Sequence, residues 1–391
     1  MSAFLLLCIA GLSAIFSSTI AKSPVLPLFA SYLGASPATV GTVAAVSAFT
    51  GVLFSVPVGM LSDRVGRRSM LLCSGLVFAT APFLYLFVTK LWQLALVRFY
   101  HGLATAAFVP VAMALVADLF HEERGERMGW FSTATLLGRF VAPLAGGALI
   151  GVLAHNPSLG YRAVYLLCAI AGVLAFVLIL CVREPERAAS RHASWAETFS
   201  GLRSILSKGA ILATSGTEAG ILFAYGTFET FLPLYALKSG LNPYQIGVCL
   251  SAQVISLALT KPLMGRLSDR YGRPPQIFAG TLLGAASVGC FALFGTFAAL
   301  AALSVFFGVA MSTLTSATSA YIADLSGTAR GSAMGMLGSI MDIGHTSGPI
   351  VAGVVAGGLG YPFSFLTAAA VLVGLSGLFL AAVSLRGPIK A

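Results

Sequence analysis

The sequence contains very little charge. Only 9% of its 391 residues are Asp, Glu, Lys or Arg, whereas 58% are hydrophobic. A soluble chain carries charge on about a quarter of its residues, because a surface exposed to water must be largely polar. The composition therefore excludes cytosolic enzymes, nucleic-acid-binding proteins and disordered scaffolds, and it predicts a protein that crosses a membrane several times.

Cofactor and metal motifs are also missing. The six cysteines form no CxxC pair and no cluster with histidine, which argues against a zinc site and a disulfide framework. The nucleotide-binding motif GxxxxGK[ST] does not occur, and neither do the hydrolase motifs HExxH and GxSxG. We therefore expect no enzyme activity, no cofactor and no metal, and an ion gradient as the source of energy.

Twelve apolar stretches are long enough to cross a hydrocarbon core of about 30 Å. They run over residues 4–33, 38–61, 69–89, 91–119, 128–153, 162–182, 210–237, 244–267, 276–296, 298–324, 331–357 and 362–385. No hydrophilic extension or cleavage site precedes the first stretch, so we interpret it as a retained span and not as a signal peptide. The predicted fold class is an all-α membrane protein with twelve transmembrane helices.

Basic residues are distributed unevenly between the two sides of the predicted membrane. With a cytoplasmic amino terminus, the cytoplasmic loops and the carboxyl tail hold 16 Lys and Arg residues, and the opposite loops hold three, Lys90, Arg162 and Lys238. Cytoplasmic loops typically carry this excess. The net charge of +10 thus indicates topology and not a nucleic-acid partner. We expect a multi-pass protein of a cell membrane, the inner membrane of a bacterium, with both termini in the cytoplasm and membrane lipids as partners.

The chain divides into two copies of one pattern. A shift of 206 residues places Leu26-Pro27-Leu28 on Leu232-Pro233-Leu234, Ala117-Asp118-Leu119 on Ala323-Asp324-Leu325, and Pro143 on Pro349. One offset that serves separate regions predicts two six-helix bundles, residues 1–182 and 209–391. The Arg-rich segment 183–208 between them has apolar residues at helical spacing, which predicts a cytoplasmic linker with an amphipathic helix on the membrane face.

Each half carries the same charged motif after its second span. The first copy reads Gly59-Met-Leu-Ser-Asp63-Arg64-Val-Gly66-Arg67-Arg68, and the second reads Gly265-Arg-Leu-Ser-Asp269-Arg270-Tyr-Gly272-Arg273. Both resemble the signature loop of the major facilitator superfamily, G-x-L-a-D-r-x-G-R-R. The resemblance implies conformational gating, in which glycines permit a tight turn and the charged residues form switchable pairs or cap helix ends. The alternative is a basic loop that only sets topology.

The fourth span contains Leu94-x-x-x-Arg98-x-x-His101-Gly102-x-Ala104-Thr105-Ala106. This pattern is similar to a second motif of the family, l-x-x-x-R-x-x-q-G-x-g-a-A, with His101 in place of the usual glutamine. The resemblance implies a proton-coupled member in which Arg98 helps to move protons. The alternative is that the guanidinium group of Arg98 reaches the outer headgroups.

The fifth span contains Gly129-x8-Gly138-x3-Ala142-Pro143-x2-Gly146-Gly147. It is similar to the family's antiporter motif, G-x8-G-x3-G-P-x2-G-G. Small residues permit close helix packing and proline introduces a kink, so we expect this motif to seal the boundary between the halves. The second half repeats it in part, as Gly335-x8-Gly344-x3-Gly348-Pro349. The alternative is that these residues serve helix packing alone.

Charged residues inside the spans are expected to line a cavity, because exposing a charged side chain to lipid costs free energy. The predicted substrate cavity is lined by Lys22, Arg98, Arg139, Tyr225 and Glu229. The candidates for proton coupling are Glu229, Glu218, Asp342, His345 and Arg98. The two glutamates are eleven residues apart, about three turns, so they share one helix face with Tyr225.

Glu229 is the first candidate for coupling. Its neighbour Phe228 is the repeat equivalent of Lys22, which predicts that Glu229 and Lys22 lie at similar depth and approach each other. The alternative for this pair is a static ion pair, and for His345 a role in helix packing. Lys261, near the cytoplasmic end of its span, is expected to reach the headgroups.

These features predict a monomeric secondary transporter that works by alternating access. The resemblance implies proton-coupled export of a small drug-like, lipid-like or metabolite substrate. A first rival is a proton-coupled importer of an organic anion such as a carboxylate, held by Lys22, Arg98 and Arg139. A further rival is a sensor or lipid scramblase on the same fold.

Overall fold

The structure is a computed structural model that describes residues 2–120, 122–182, 209–326 and 330–384, without the side chains of Val56, Asp63 and residues 330–336. Over these residues the chain is helical and has no strands. The helices are α1 Ala3–Ile20, α2 Val25–Tyr32, α3 Pro37–Val65, α4 Arg67–Tyr85, α5 Leu91–Leu119, α6 Arg124–Val152, α7 Pro157–Leu180, α8 Gly209–Lys238, α9 Pro243–Tyr271, α10 Arg273–Cys290, α11 Phe297–Ser326, α12 Arg330–Leu359 and α13 Tyr361–Ser384. The predicted all-α fold is confirmed, and the predicted amphipathic helix in 183–208 lies outside the described residues.

The helices follow the predicted spans, with α1 and α2 together forming the first. Within the described ranges, ten segments are long and apolar enough to cross a membrane, and α10 and α12 are not among them. The exposed side chains are largely apolar, as on α7, which leaves Leu166, Ile170 and Val177 on its surface. A helix that is apolar on all sides is typical of contact with lipid. The chain is therefore a multi-pass membrane protein.

The first span is broken, which the sequence analysis did not predict. Residues 21–24 form a turn between α1 and α2. Pro24 has no backbone N–H, and its ring disfavours helical geometry at the preceding residue, so the helix ends before it. Lys22 lies in this turn. A discontinuous helix of this kind often carries the binding site of a transporter.

The two charged motifs are mostly helical, so the predicted loop over 59–68 is wrong in its extent. The helix α3 continues to Val65 and α9 continues to Tyr271. The turn is confined to Gly66 and Gly272, whose φ angles are 102° and 92°. Only glycine adopts these angles readily. Gly59 and Gly265 lie within helices, where an added methyl group would meet no heavy atom within 4 Å.

The chain groups into two compact units. Unit 1 comprises residues 1–36, 46–192 and 242–251, and unit 2 comprises 37–45, 193–241 and 252–391. Relative to the predicted halves, the start of α3 is grouped with unit 2 and the start of α9 with unit 1. These two stretches are repeat equivalents. All contacts described below lie within one unit.

Candidate functional site

The first charged motif forms an ion pair with the end of α5. Arg67 Nε lies 3.3 Å from Asp118 Oδ2. Arg67 Nη1 also donates a hydrogen bond of 2.6 Å to Ser62 Oγ on α3. One guanidinium group thus connects α3, α4 and α5 at a single helix junction.

Unit 2 repeats this ion pair. Arg273 Nε lies 3.4 Å from Asp324 Oδ2, and Arg273 Nη1 lies 2.5 Å from Asp269 Oδ1. The arginine and its distant acid are 51 residues apart in both units. Asp118 and Asp324 were not predicted as site residues, although both belong to a tripeptide that recurs at the repeat offset.

Arg68 caps the end of a neighbouring helix. It donates from Nε to the carbonyl of Val182 at 2.6 Å and from Nη2 to that of Leu180 at 3.1 Å. These carbonyls lie at the carboxyl end of α7 and just beyond it, where unpaired acceptors attract a cation. The repeat equivalent of Arg68 is Pro274, so the motif of unit 2 cannot make this cap.

The remaining charged residues of the two motifs have different surroundings. Arg64 is exposed, and Arg270 lies over the ring of Tyr271 at 5.6 Å from its centroid. The side chain of Asp63 lies outside the described residues, so its predicted gating role stays a prediction.

Arg98 is buried inside unit 1 and is only 2% exposed. The alternative that it reaches the headgroups is therefore not what this structure shows. Its Nη1 lies 3.5 Å from the Tyr85 hydroxyl, which in turn lies 3.4 Å from Nδ1 of His101. The Tyr85 ring stacks on Tyr165 with centroids 4.4 Å apart. Both tyrosines line a cavity of about 210 Å³.

Several polar atoms around Arg98 lack partners. Within the described ranges, Arg98 forms no salt bridge, and its Nε has no hydrogen-bond partner. Nε2 of His101 and the hydroxyl of Tyr165 are also unpartnered. Unpaired buried polar groups are costly and rare in proteins. Their concentration around a cation is typical of a functional position more than of a structural one.

The predicted packing glycines of α6 differ in their contacts. A methyl group on Gly138 would lie 2.5 Å from the Leu12 carbonyl oxygen of α1, and one on Gly146 would lie 3.2 Å from Val25 Cγ2 of α2. Gly129 is exposed, and a methyl group there would meet nothing within 4 Å. Gly129 faces away from the described neighbours of α6, whereas Arg127 lies over the Phe4 ring of α1. The packing role predicted for Gly129 therefore has no support among the described residues.

Two close backbone contacts lie at repeat-equivalent places. In unit 1, a methyl group on Gly247 would meet the Pro143 carbonyl, and one on Gly147 would lie 3.2 Å from Gly247 Cα. In unit 2, a methyl group on Gly41 would meet the Pro349 carbonyl. The start of α9 can lie this close to α6, and the start of α3 to α12, because no side chain separates them.

The helices α8 and α12 are packed in the same way inside unit 2. A methyl group on Gly344 would lie 2.9 Å from Ala219 Cα, and one on Gly348 would lie 3.0 Å from Phe223 Cα. The hydroxyl of Thr227 lies 3.4 Å from the Gly348 carbonyl. These small residues bring the two helix backbones together and thereby fix the polar side chains that follow along both helices.

That contact brings together three of the predicted site residues. His345 Nε2 on α12 lies 3.4 Å from Glu229 Oε2 on α8, and the two side chains are 19% and 7% exposed. The Tyr225 ring lies 5.5 Å from the His345 ring. Asp342, about one turn before His345, is half-buried. A carboxylate and an imidazole in direct contact can exchange one proton between them.

Glu218 faces a different helix. It is 1% exposed and accepts a hydrogen bond from the Thr318 hydroxyl on α11. Both glutamates were predicted to lie on one face of α8 that lines the cavity. Their neighbours are nevertheless distinct, because α11 meets Glu218 while α12 meets Glu229.

The other predicted cations of the first half are more exposed than Arg98. Lys22 is half-buried in the turn between α1 and α2, and Arg139 is exposed on α6. Lys22 and Glu229 belong to different units, so their approach stays a prediction. Among the described residues, no group of three or more His, Cys, Asp or Glu side chains is placed to hold a metal ion.

The chain is similar in fold to two solved transporters. A bacterial homologue of the human lysosomal transporter Spinster superposes with a TM-score of 0.83 at 17% identity, covering 98% of this chain and 96% of that one. The nucleoside transporter NupG superposes with the same TM-score at 16% identity, covering 97% and 100%. These likenesses show the major facilitator fold.

The sequence also matches characterised and uncharacterised relatives over most of its length. An MFS-type transporter of Methanocaldococcus jannaschii is 26% identical, over 90% of this chain and 92% of the relative. Multidrug resistance protein 2 of Bacillus subtilis is 24% identical over 88% and 86%, and multidrug resistance protein MdtG of Escherichia coli is 26% identical over 90% and 87%. The family model of the Major Facilitator Superfamily matches residues 6–249 and 220–390. The chain therefore belongs to the Major Facilitator Superfamily of membrane transporters.

Proposed function

We propose that this transporter exports a small drug-like, lipid-like or metabolite substrate in exchange for protons. The observation that carries the proposal is the contact between Glu229 and His345, two titratable side chains held between α8 and α12. Two relatives named as multidrug resistance proteins support export and a drug-like substrate. We further propose a monomer in the inner membrane of a bacterium, with both termini in the cytoplasm.

The Glu229–His345 pair is suited to couple a proton to a conformational change. When Glu229 is ionised, it attracts a protonated His345 across the α8–α12 contact. When Glu229 takes up a proton, that attraction disappears, and the balance between two conformations shifts by the lost interaction. A substrate that binds one protonation state better than the other then drives proton release.

The ion pairs at the helix junctions supply the second part of the mechanism. Arg67–Asp118 and Arg273–Asp324 lie near the ends of their helices, on partly exposed side chains. Such pairs can break and form again at low cost, because water replaces the partner. We assign them to gating, as the predicted role of the motifs implies, and not to substrate binding.

A substrate screen in proteoliposomes tests the proposal. Purified protein is reconstituted with an imposed pH gradient and a panel of lipophilic cations, neutral amphiphiles and small metabolites. A transported compound should dissipate the gradient in wild-type vesicles and in Glu126→Gln vesicles, because Glu126 is an exposed carboxylate in the first turn of α6. Substrate movement that leaves the gradient unchanged for every compound would contradict proton exchange.

A proton-coupled importer of organic anions is the second candidate function. It is favoured by the buried guanidinium of Arg98, which forms no salt bridge within the described residues. A carboxylate substrate would neutralise such a group. Counterflow of labelled benzoate separates the two functions, since an importer of anions exchanges it and an exporter of cationic or neutral compounds does not.

A further inference from the structure

We propose that Glu218 is a second proton-binding residue and that Thr318 transmits its protonation state to α11. Glu218 and Glu229 are eleven residues apart on α8, which is about 16 Å along a helix axis. They are therefore separate sites. The inference deepens the proton-coupled function proposed above, on which the role of Glu218 in the transport cycle rests.

Glu218 is a buried carboxyl group without an ion-pair partner. It is 1% exposed, and no Lys, Arg or His side chain in the described ranges lies within salt-bridge distance of it. An ionised carboxylate is expensive to bury without a paired cation, and a bound proton removes that cost. The surroundings of Glu218 therefore favour a group that takes up a proton in at least part of the cycle.

The hydroxyl of Thr318 offers two alternative hydrogen-bond arrangements. It contacts the Glu218 carboxylate, and it also lies 3.3 Å from the carbonyl oxygen of Thr315 in its own helix. A hydroxyl donates one hydrogen bond and accepts two. With Glu218 ionised, Thr318 donates to the carboxylate. With Glu218 protonated, the acid donates to Thr318 Oγ1, and Thr318 donates to the Thr315 carbonyl.

This exchange links the protonation state of Glu218 on α8 to a hydrogen bond on α11. The same two side chains are satisfied in both states, so no group loses its partner when the proton arrives. What changes is the direction in which the Thr318 hydroxyl donates, from α8 in the ionised state to the backbone of α11 in the protonated state. The state of the proton thus alters a hydrogen bond inside α11 without any movement of Glu218.

An unpartnered hydroxyl lies on the same face of α8 as Glu218. Ser215 is three residues before Glu218 and therefore on the same face of α8. Its side chain is fully buried, and its Oγ has no hydrogen-bond partner within the described residues. The nearby hydroxyls of Thr214 and Thr217 already donate to carbonyls of their own helix, at 2.7 Å each. Ser215 is thus a buried hydroxyl on the Glu218 face of α8 that makes no hydrogen bond within the described residues.

The charged groups around this site are on the helices that pack against α8. Lys261, on α9, forms no salt bridge with Glu218. The helices packed against α8 are α10, α11, α12 and α13. Their ionisable residues are Arg273 and Cys290 on α10, Tyr321 and Asp324 on α11, Arg330, Asp342 and His345 on α12, and Tyr361 on α13. Among them, His345 and Asp342 are the residues already predicted to take part in proton coupling, and His345 contacts Glu229.

Infrared spectroscopy of the protein in lipid membranes tests the inference without measuring transport. A protonated carboxylic acid gives a C=O band that shifts in D2O. We expect such a band to grow as the pH falls, to disappear in Glu218→Gln, and to persist in Glu229→Gln. In Thr318→Val the band should move to higher frequency, since the acid loses its hydrogen-bond partner, whereas Thr318→Ser should leave it in place.

Each other outcome counts against a stated part of the inference. A spectrum that Glu218→Gln leaves unchanged, a band that stays constant across all pH values, or a band that responds to Na⁺ at fixed pH would overturn proton binding at Glu218. An unshifted band in Thr318→Val would overturn the relay, and this comparison with Thr318→Ser holds even if Glu218→Gln fails to fold. A normal Glu218 band in a protein that moves substrate without protons would contradict the proposed function alone.

Discussion

Arg67 Nε lies 3.3 Å from Asp118 Oδ2, at the junction of α4 with the end of α5. The acid is 46% exposed, so water competes for both partners. The equivalent pair in unit 2, Arg273 and Asp324, has nearly the same distance and exposure. The internal repeat thus places the same ion pair in both units, and both pairs are too exposed to stabilise the fold strongly. Such a pair is better suited to a conformational step in which it breaks and forms again.

Asp118→Asn should therefore slow transport and leave the fold and the substrate site intact. An exposed ion pair contributes about 0–1 kcal/mol, so the melting temperature should stay close to that of the wild type. We expect a several-fold loss of transport rate with little change in substrate affinity, and Glu122→Gln, an exposed acid in the adjoining loop, should show neither. Collapsed binding with a normal turnover rate would refute the gating assignment.

Substitution of the aspartate in either charged motif should also reduce the transport rate more than the substrate affinity. Asp63→Asn should also reduce transport more than affinity. Asp269→Asn should do so more weakly, since the second motif has Pro274 where the first has Arg68 and thus lacks the cap on a neighbouring helix. Transport rates of the two variants in the same vesicles check the order, and a stronger effect of Asp269→Asn would reverse it.

Gly348→Ala should destabilise the α8–α12 contact. The added methyl group would meet the Phe223 backbone, with its Cα at 3.0 Å, and a helix backbone cannot yield as a side chain can. Overpacking of this kind costs about 1–3 kcal/mol. Gly357→Ala on the same helix has no heavy atom within 4 Å of the new group, so it should gain up to about 1 kcal/mol from helix propensity. Opposite shifts in melting temperature are expected, and a stabilised Gly348→Ala would disprove the close contact.

The stacked tyrosines of unit 1 should respond differently to loss of their hydroxyl groups. Tyr85→Phe removes the contacts to Arg98 and His101 and should cost about 1–3 kcal/mol, because it leaves buried polar atoms unpaired. Tyr165→Phe removes a hydroxyl without a partner in the described residues and should be neutral or stabilising. Thermal unfolding of both variants compares them, and an equal loss would mean that Tyr165 has a partner of its own.

The fold was predictable from the sequence because long apolar runs and a repeat at one offset constrain it strongly. The same repeat predicted which residues would share an environment, as the paired turns at Gly66 and Gly272 show. The break at Ser23–Pro24 was missed because an apolar run hides a helix interruption in a hydropathy pattern. The extent of the charged loops was overestimated, since polar residues at a membrane surface can continue a helix.

The residues of the candidate site could be proposed from the sequence, whereas their contacts could not. Intramembrane charge identifies Glu218, Glu229 and His345, because each must be solvated by something other than lipid. The helix that each one faces depends on how closely the helix backbones pack. For α8 and α12, Gly344 and Gly348 permit this close packing. The partner of Glu218 is Thr318, a residue type too common in membrane helices to be singled out from sequence.

The central claim is that Glu229 carries the coupled proton. The most direct test measures the number of protons moved per substrate molecule in proteoliposomes that contain Glu229→Gln. The variant is fixed neutral at this position, so it should lose gradient-driven accumulation and proton movement while keeping substrate counterflow. Glu126→Gln should behave as the wild type. Uphill transport by Glu229→Gln with an unchanged proton-to-substrate ratio would contradict the account and transfer the role to Glu218, Asp342 or His345.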